Sequence, residues 1–266
     1  MDHVVVGDGT RIAYRWDGPE DAPVLVLSNS LGTDLHMWDP QIAEFTRTHR
    51  VLRYDTRGHG QSDAPVGAYS MDRLGRDVLE LLDALELQKV YFCGLSLGGM
   101  VGQWLAVHAA DRIGRLVLAN TSACMGSPSN WQARIDGVLA NGIAPLADAS
   151  LARWFTPGFA EREPEAVAPI RNMLLANNPT GYAGCCAAIR DMDQRPTARL
   201  NMLPTLVIAG QHDPATSVAE GAFLAGSAAN GKLCVLEAAH LSNIECAREF
   251  SKSVIAFLSS NESVAE

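Results

Sequence analysis

Three polar residues stand at the ends of apolar runs and together could carry out nucleophilic chemistry. Ser96 is the centre of Gly94-Leu95-Ser96-Leu97-Gly98, Asp213 closes Ala209-Gly210-Gln211-His212-Asp213, and His240 closes Ala238-Ala239-His240. A free serine hydroxyl is a poor nucleophile. It needs an imidazole to take its proton, and a buried carboxylate to fix the tautomer of that imidazole and stabilise its cation. Ser96, His240 and Asp213 are the candidates for nucleophile, general base and orienting acid, in the chain order Ser, Asp, His that one hydrolytic architecture uses. His212 is a weaker base, because sequence neighbours cannot easily serve as base and orienter to each other.

The surroundings of Ser96 matter more than the pentapeptide, which taken alone also describes an ordinary glycine-rich turn. It follows the apolar run Val90-Tyr91-Phe92-Cys93 and precedes a helical pattern over residues 97–109. A serine at such a strand-to-helix reversal sits in a strained backbone, and the flanking glycines remove side chains that would block the close approach. The Leu97 N–H then lies at a helix N-terminus, where unpaired donors and the helix dipole can stabilise an oxyanion. The second donor is expected from the loop Ser28-Asn29-Ser30-Leu31-Gly32, by position the Leu31 N–H. The stretch Arg57-Gly58-His59-Gly60-Gln61-Ser62 reads as a structural turn and is assigned no chemistry.

These groups require a sheet to hold them. Val24-Leu25-Val26-Leu27, Val51-Leu52-Arg53-Tyr54, the run at 90–93 and Leu116-Val117-Leu118-Ala119 are short apolar segments suited to strands buried on both faces. Helical spacing over 71–87 (Leu74, Val78, Leu81, Leu82, Leu85) and over 97–109 separates them, so strands alternate with helices and the sheet should be mostly parallel. From 123 to 196 the pattern is helical with no convincing strand, and sheet character returns at 205–209 and 233–236. The expected fold is therefore α/β: a core of residues 1–122 and 197–266 with a helical cap, 123–196, inserted in it. A closing helix is expected over 245–258, with a polar tail at 259–266 free to fray.

Composition removes several other classes. The 266-residue chain carries 21 Lys and Arg against 30 Asp and Glu, a net charge of -9, so it lacks the clustered cations that nucleic acid requires. No segment approaches about 18 consecutive apolar residues and the N-terminus lacks a basic start followed by an apolar run, which points to a cytoplasmic protein with no membrane partner. The six cysteines show neither metal-ligand nor disulfide-framework spacing and read as reduced packing residues. With no glycine-rich phosphate loop after a strand and no metal-binding spacing, neither metal nor cofactor is expected. Oligomeric state is not legible.

The elbow at 94–98, Asp213, His240 and the Arg57-Gly58-His59-Gly60 turn resemble the α/β-hydrolases. A narrower likeness lies in Ser28-Asn29-Ser30-Leu31-Gly32-Thr33 with Met37-Trp38, in Tyr54-Asp55-Thr56-Arg57, in Arg153-Trp154-Phe155-Thr156-Pro157, and in Cys185-Cys186-Ala187-Ala188-Ile189-Arg190-Asp191. These are similar to the 3-oxoadipate enol-lactonases of bacterial aromatic catabolism. Many relatives carry His-Gly where this chain has Asn29-Ser30, a departure shared with the lactonase branch. The resemblance implies opening of the lactone ring of 3-oxoadipate enol-lactone to 3-oxoadipate, in the β-ketoadipate pathway, through an acyl-enzyme. Such a substrate is a small anion, so its site should offer cations or neutral donors. Ser30, Trp38, Trp131, Arg134, Arg153 and Trp154 are the candidates, with cap packing the alternative for the tryptophans and a solvated face for the arginines. The rival activities are a general carboxylesterase or a carbon–carbon bond hydrolase of the same fold. Enzymes of this fold that place an aspartate at the elbow are disfavoured by Ser96. A non-catalytic small-molecule-binding protein is disfavoured by the complete Ser96, Asp213 and His240 set.

Overall fold

The computed structural model describes residues 1–260, so most of the polar tail, 261–266, lies outside the described residues. An eight-stranded sheet runs in the order β1-β2-β4-β3-β5-β6-β7-β8. Its parallel part comprises β3 (Val24–Ser28), β4 (Arg50–Tyr54), β5 (Val90–Leu95), β6 (Ile113–Ala119), β7 (Pro204–Gly210) and β8 (Asn230–Leu236). The strands β1 (Asp2–Val5) and β2 (Arg11–Asp17) add an antiparallel edge beside β4. Sequence reasoning missed this hairpin because most of its residues are exposed or half-buried and it offers only short apolar stretches among polar ones. At the other edge β8 is exposed on one face, where Leu233 and Val235 are each 40% exposed.

Around the sheet lie α1 (Asp39–Phe45), α2 (Met71–Ala84) and α3 (Leu97–His108). The chain between β6 and β7 forms α4 (Pro128–Asn141), α5 (Ala147–Trp154), α6 (Pro157–Arg162), α7 (Pro164–Ala176) and α8 (Pro179–Asp191). Four of these helices, α4, α6, α7 and α8, open on a proline, whose fixed φ and missing N–H are harmless in a first turn. Thr156 and Asn178 cap α6 and α8 with their side chains. A bridge between Cys124 and Asp193 draws the two ends of this helical segment together.

Then come α9 (Val218–Ser227), opened by a capping box of Ser217 and Glu220, and two C-terminal helices, α10 (Ser242–Glu245) and α11 (Ala247–Leu258). The single closing helix expected over 245–258 is thus broken at Cys246, which has non-helical backbone angles. The start of the polar tail is held, because the Ser260 carbonyl accepts from Arg115 Nη2 at 2.5 Å. Among the described residues, no helix is long and apolar enough to cross a membrane. All six cysteines are free.

The packing of α2 on α3 turns on one glycine. A Cβ at Gly75 would lie 2.0 Å from Trp104 Cε3, inside the ring that stacks on His108. Helix propensity alone would make Gly75→Ala stabilising by about 1 kcal/mol. Forcing a methyl into a packed aromatic is expected to cost about 1–3 kcal/mol and to win. Urea unfolding should therefore show Gly75→Ala less stable than wild type, and a more stable variant would contradict this packing.

Candidate active site

Ser96 forms the whole reversal between β5 and α3, at φ 56° and ψ -112°. Its neighbours permit this because they lack side chains. A Cβ on Gly94 would sit 2.1 Å from the Gly98 carbonyl oxygen, and one on Gly98 would sit 2.2 Å from the Ser28 carbonyl oxygen. The elbow is pinned to the next strand by the Ser96 N–H, which donates to the Ala119 carbonyl at 2.9 Å.

The other two groups arrive on loops after β7 and β8, at the C-terminal edge where open parallel sheets gather ligands. Ser96 Oγ lies 2.9 Å from His240 Nε2, and His240 Nδ1 lies 2.8 Å from Asp213 Oδ2. The carboxylate on Nδ1 fixes the proton there and leaves Nε2 free to accept from the serine hydroxyl. Asp213 also accepts from the Ala215 and Thr216 amides on Oδ1, and from Thr216 Oγ1 and Asn120 Nδ2 on Oδ2. Burial pushes its pKa up, but the charge of His240 and the hydrogen bonds from His240, Thr216 and Asn120 outweigh that and hold it well below the usual carboxylate range. His212 lies apart, paired on the surface with Glu237.

Asn120 and Thr216 are supporting residues that sequence reasoning missed. Asn120 Nδ2 also donates to the Ala239 carbonyl, while its Oδ1 accepts from Ser242 Oγ at 2.5 Å. The available signal was position, since Asn120 follows β6 at the same sheet edge. Glu245 secures the other flank: Oε2 accepts from the Ala239 N–H, and its carboxylate also accepts from Thr156 Oγ1, linking the His240 loop to the helical segment.

Among the described residues, neither the Leu31 nor the Leu97 amide donates to a protein acceptor, and Leu31 and Ser96 line the same cavity. The loop carrying Leu31 is clamped at Gly32, whose φ is +83°. The Gly32 N–H donates to His59 Nε2 at 2.9 Å, and its carbonyl accepts from Asn177 Nδ2 at 2.9 Å. The Arg57-Gly58-His59-Gly60 turn thus makes no contact with Ser96 but holds the loop beside it. Arg57 is itself fixed by buried Asp77 and by Asp8. Asp55 accepts from the Leu35 and Gln61 amides, joining the same two loops, and burial pushes its pKa up to about 6.

A cavity of about 250 Å³ opens above Ser96 and His240. Of the sequence candidates, Ser30, Trp131, Arg134, Arg153 and Trp154 line it. Trp38 does not. It is fully buried, donates Nε1–H to Asn29 Oδ1 and packs on Phe250, so it supports the loop from behind. Met100, Met125, Asn130, Tyr182 and Ala215, which carried no sequence signal, also line the cavity, as does Ile189 from the block at 185–191. Arg134 lies over the Trp131 ring and donates to Tyr182 Oη at 3.3 Å. Among the described residues, neither Arg134 nor Arg153 pairs with a carboxylate, and burial, with the nearby Arg134 charge, lowers the Arg153 pKa. Cys186, near this site, is pushed up to about 12 by burial and stays a thiol. Among the described residues there is also no cluster of three His, Cys, Asp or Glu that could hold a metal ion.

His59 gives the site a pH signature. Burial lowers its pKa to about 4, and its neutral Nε2 is what accepts from Gly32. Between about pH 4 and 6.5 the unfolded chain binds this proton and the folded one does not, so stability falls as pH falls through that window. Relative to His59→Gln, which lacks the titration, wild type should lose about 2 kcal/mol of its advantage between pH 7 and pH 5. A gap independent of pH in urea unfolding would contradict the assigned tautomer.

The chain matches the alpha/beta hydrolase fold family over residues 23–245. It is 46% identical over 245 residues to 3-oxoadipate enol-lactonase 2 of Acinetobacter baylyi, covering 92% of each chain. To 3-oxoadipate enol-lactonase 1 of the same organism it is 40% identical, covering 95% of this chain and 94% of the relative. The crystal structure of the enol-lactonase from Burkholderia xenovorans superposes with a TM-score of 0.95 at 48% identity, covering 97% of this chain and all of that one. An open parallel sheet with its reversal at Ser96, matched along almost its full length by such relatives, leaves one assignment: the chain belongs to the alpha/beta hydrolase family and within it is similar throughout to the 3-oxoadipate enol-lactonases.

Proposed function

We propose that this protein is a lactone hydrolase that opens 3-oxoadipate enol-lactone to 3-oxoadipate, with Ser96 as nucleophile, His240 as general base and acid, and Asp213 as orienter. The observation that carries the reading is the Ser96–His240–Asp213 relay at the floor of a cavity whose wall holds two arginines that have no carboxylate partner among the described residues. A cavity of about 250 Å³ suits a small ring, and its cationic wall suits a substrate with a free carboxylate. Relatives named for this lactone supply the substrate's identity.

In the proposed cycle Ser96 Oγ attacks the ring carbonyl as His240 Nε2 takes its proton. The N–H groups of Leu31 and Leu97 receive the oxyanion. As the tetrahedral intermediate collapses the ring C–O bond breaks, and His240 returns the proton to the departing enol oxygen. The enol stays tethered to the acyl group and can tautomerise to the ketone. Water then attacks the acyl carbon while His240 takes its proton. The Ser96 C–O bond breaks, His240 returns that proton to Ser96 Oγ, and the new carboxylic acid gives up its own proton to solvent as it leaves, so one lactone and one water give one 3-oxoadipate and one proton. We assign residues 123–196 the part of a cap over the core of 1–122 and 197–266, bringing Arg134, Arg153, Trp131 and Trp154 to the ring's far side. The cytoplasm, where such intermediates of aromatic catabolism arise, is the compartment this reading implies.

Arg153 is the better carboxylate clamp, since Arg134 already engages Tyr182 and Trp131. The test follows enol-lactone absorbance, with substrate made in situ from muconolactone and its isomerase. Wild type should consume the lactone and Ser96→Ala should lose at least about 10³-fold in rate. Arg153→Ala should raise KM for the lactone about tenfold while barely changing turnover of neutral p-nitrophenyl acetate. A folded wild type that cleaves the nitrophenyl ester but not the lactone would make it a general esterase.

A further inference from the structure

The two peptide units that supply the proposed oxyanion donors are held in the same way, and neither holder belongs to the triad. The Leu31 N–H shares a planar peptide with the Ser30 carbonyl, and the Leu97 N–H shares one with the Ser96 carbonyl. The Ser30 carbonyl accepts from Thr33 Oγ1 at 2.9 Å and from the Thr33 N–H at 3.2 Å. The Ser96 carbonyl accepts from Thr121 Oγ1 at 2.8 Å and from the Met100 N–H at 3.0 Å. Both threonines are buried, at 0% and 3% exposure, so these bonds do not compete with water.

In a trans peptide the carbonyl and the N–H point in opposite directions within one rigid plane. Fixing the oxygen therefore fixes the direction of the N–H on the far side. A carbonyl that accepts hydrogen bonds is also polarised, which makes the N–H of the same unit a better donor. The threonines come from separate loops, after β3 and after β6. Room for Thr121 is built into the elbow: a Cβ on Gly99 would lie 2.7 Å from Thr121 Cβ. Gly99 is thus needed for a purpose that the pattern over 94–98 does not include.

We propose that Thr33 and Thr121 are positioning residues that aim and polarise the two oxyanion donors through the carbonyls of Ser30 and Ser96. The inference rests on the oxyanion assignment made under the proposed function. Its chemical prediction is selective: losing either hydroxyl should weaken stabilisation of the oxyanion while leaving the ground-state fit intact, so kcat moves and KM does not.

The experiment uses Thr33→Val and Thr121→Val in the full chain, replacing each hydroxyl with a methyl of the same shape. They are assayed with p-nitrophenyl acetate and its thiono analogue, whose sulfur is a weak hydrogen-bond acceptor. Removing an oxyanion donor outright costs about 10²–10³ in kcat; disordering one that remains should cost about tenfold in each variant, with KM within about twofold. The preference for the oxygen ester over the thiono ester should shrink, a change that a merely structural role would not produce. Thr33→Ser and Thr121→Ser should restore most of the rate. Should a valine variant fail to fold, the alanine and serine variants at that position, which differ only by the hydroxyl, are compared by the same criteria. Folded variants lacking the hydroxyl that keep wild-type kcat and oxygen preference would overturn the proposal. Failure of wild type to cleave either the nitrophenyl ester or the enol-lactone would instead overturn the serine-hydrolase reading beneath it.

Discussion

Ser96 occupies φ 56° and ψ -112°, a sparsely populated conformation that costs a residue with a side chain about 1–3 kcal/mol and must be enforced from outside. The enforcement is covalent and steric at once. The backbone enters from β5 and leaves into α3, the Ser96 N–H is bound to β6, and Gly94, Gly98 and Gly99 admit carbonyls and Thr121 where side chains would collide. The consequence is a hydroxyl presented to the cavity, with Leu97 as the first residue of the helix that follows. The placement of His240 and Asp213 would have no use without that reversal.

Around this constraint the charges are segregated. The carboxylate side is saturated: Asp213 accepts from two amides, two side chains and the imidazole, which together satisfy its negative charge. The opposite wall is left positive, with Arg134 and Arg153 facing a cavity and, among the described residues, no carboxylate to neutralise them. A chain of net charge -9 that keeps two arginines unpaired in one cavity has arranged a local field against its overall sign. Elsewhere its buried cations are matched, as Arg57 is by Asp77 and Arg53 by Asp17. The selective absence of counter-charge is the strongest structural argument for an anionic ligand.

The parallel core was legible because strands buried on both faces show as continuous apolar runs, and the order of Ser96, Asp213 and His240 was legible because each stands just past such a run. The β1–β2 hairpin was not, since an edge whose residues are mostly exposed or half-buried shows neither a continuous apolar run nor a clean alternation. Trp38 was misplaced for a related reason: proximity in sequence to the loop at 28–32 says nothing about which side of it the ring packs on, and the indole N–H finds Asn29 behind the loop. Asn120, Thr216, Thr33 and Thr121 act through hydrogen bonds that join segments brought together only by folding, or through a short turn whose geometry the sequence does not specify. The turn carrying His59 was read as structural, and its grip on Gly32 spans 27 residues and could not be read from the turn itself.

The claim on which the account stands is that Ser96 is an activated nucleophile. The most direct test treats the folded protein with a p-nitrophenyl phosphonate and maps the modified peptide by mass spectrometry. The account predicts one adduct per chain, on Ser96, formed in step with loss of esterase activity and absent from Ser96→Ala. A folded wild type that stays unmodified, or one that loses activity through an adduct on a different residue, would contradict it.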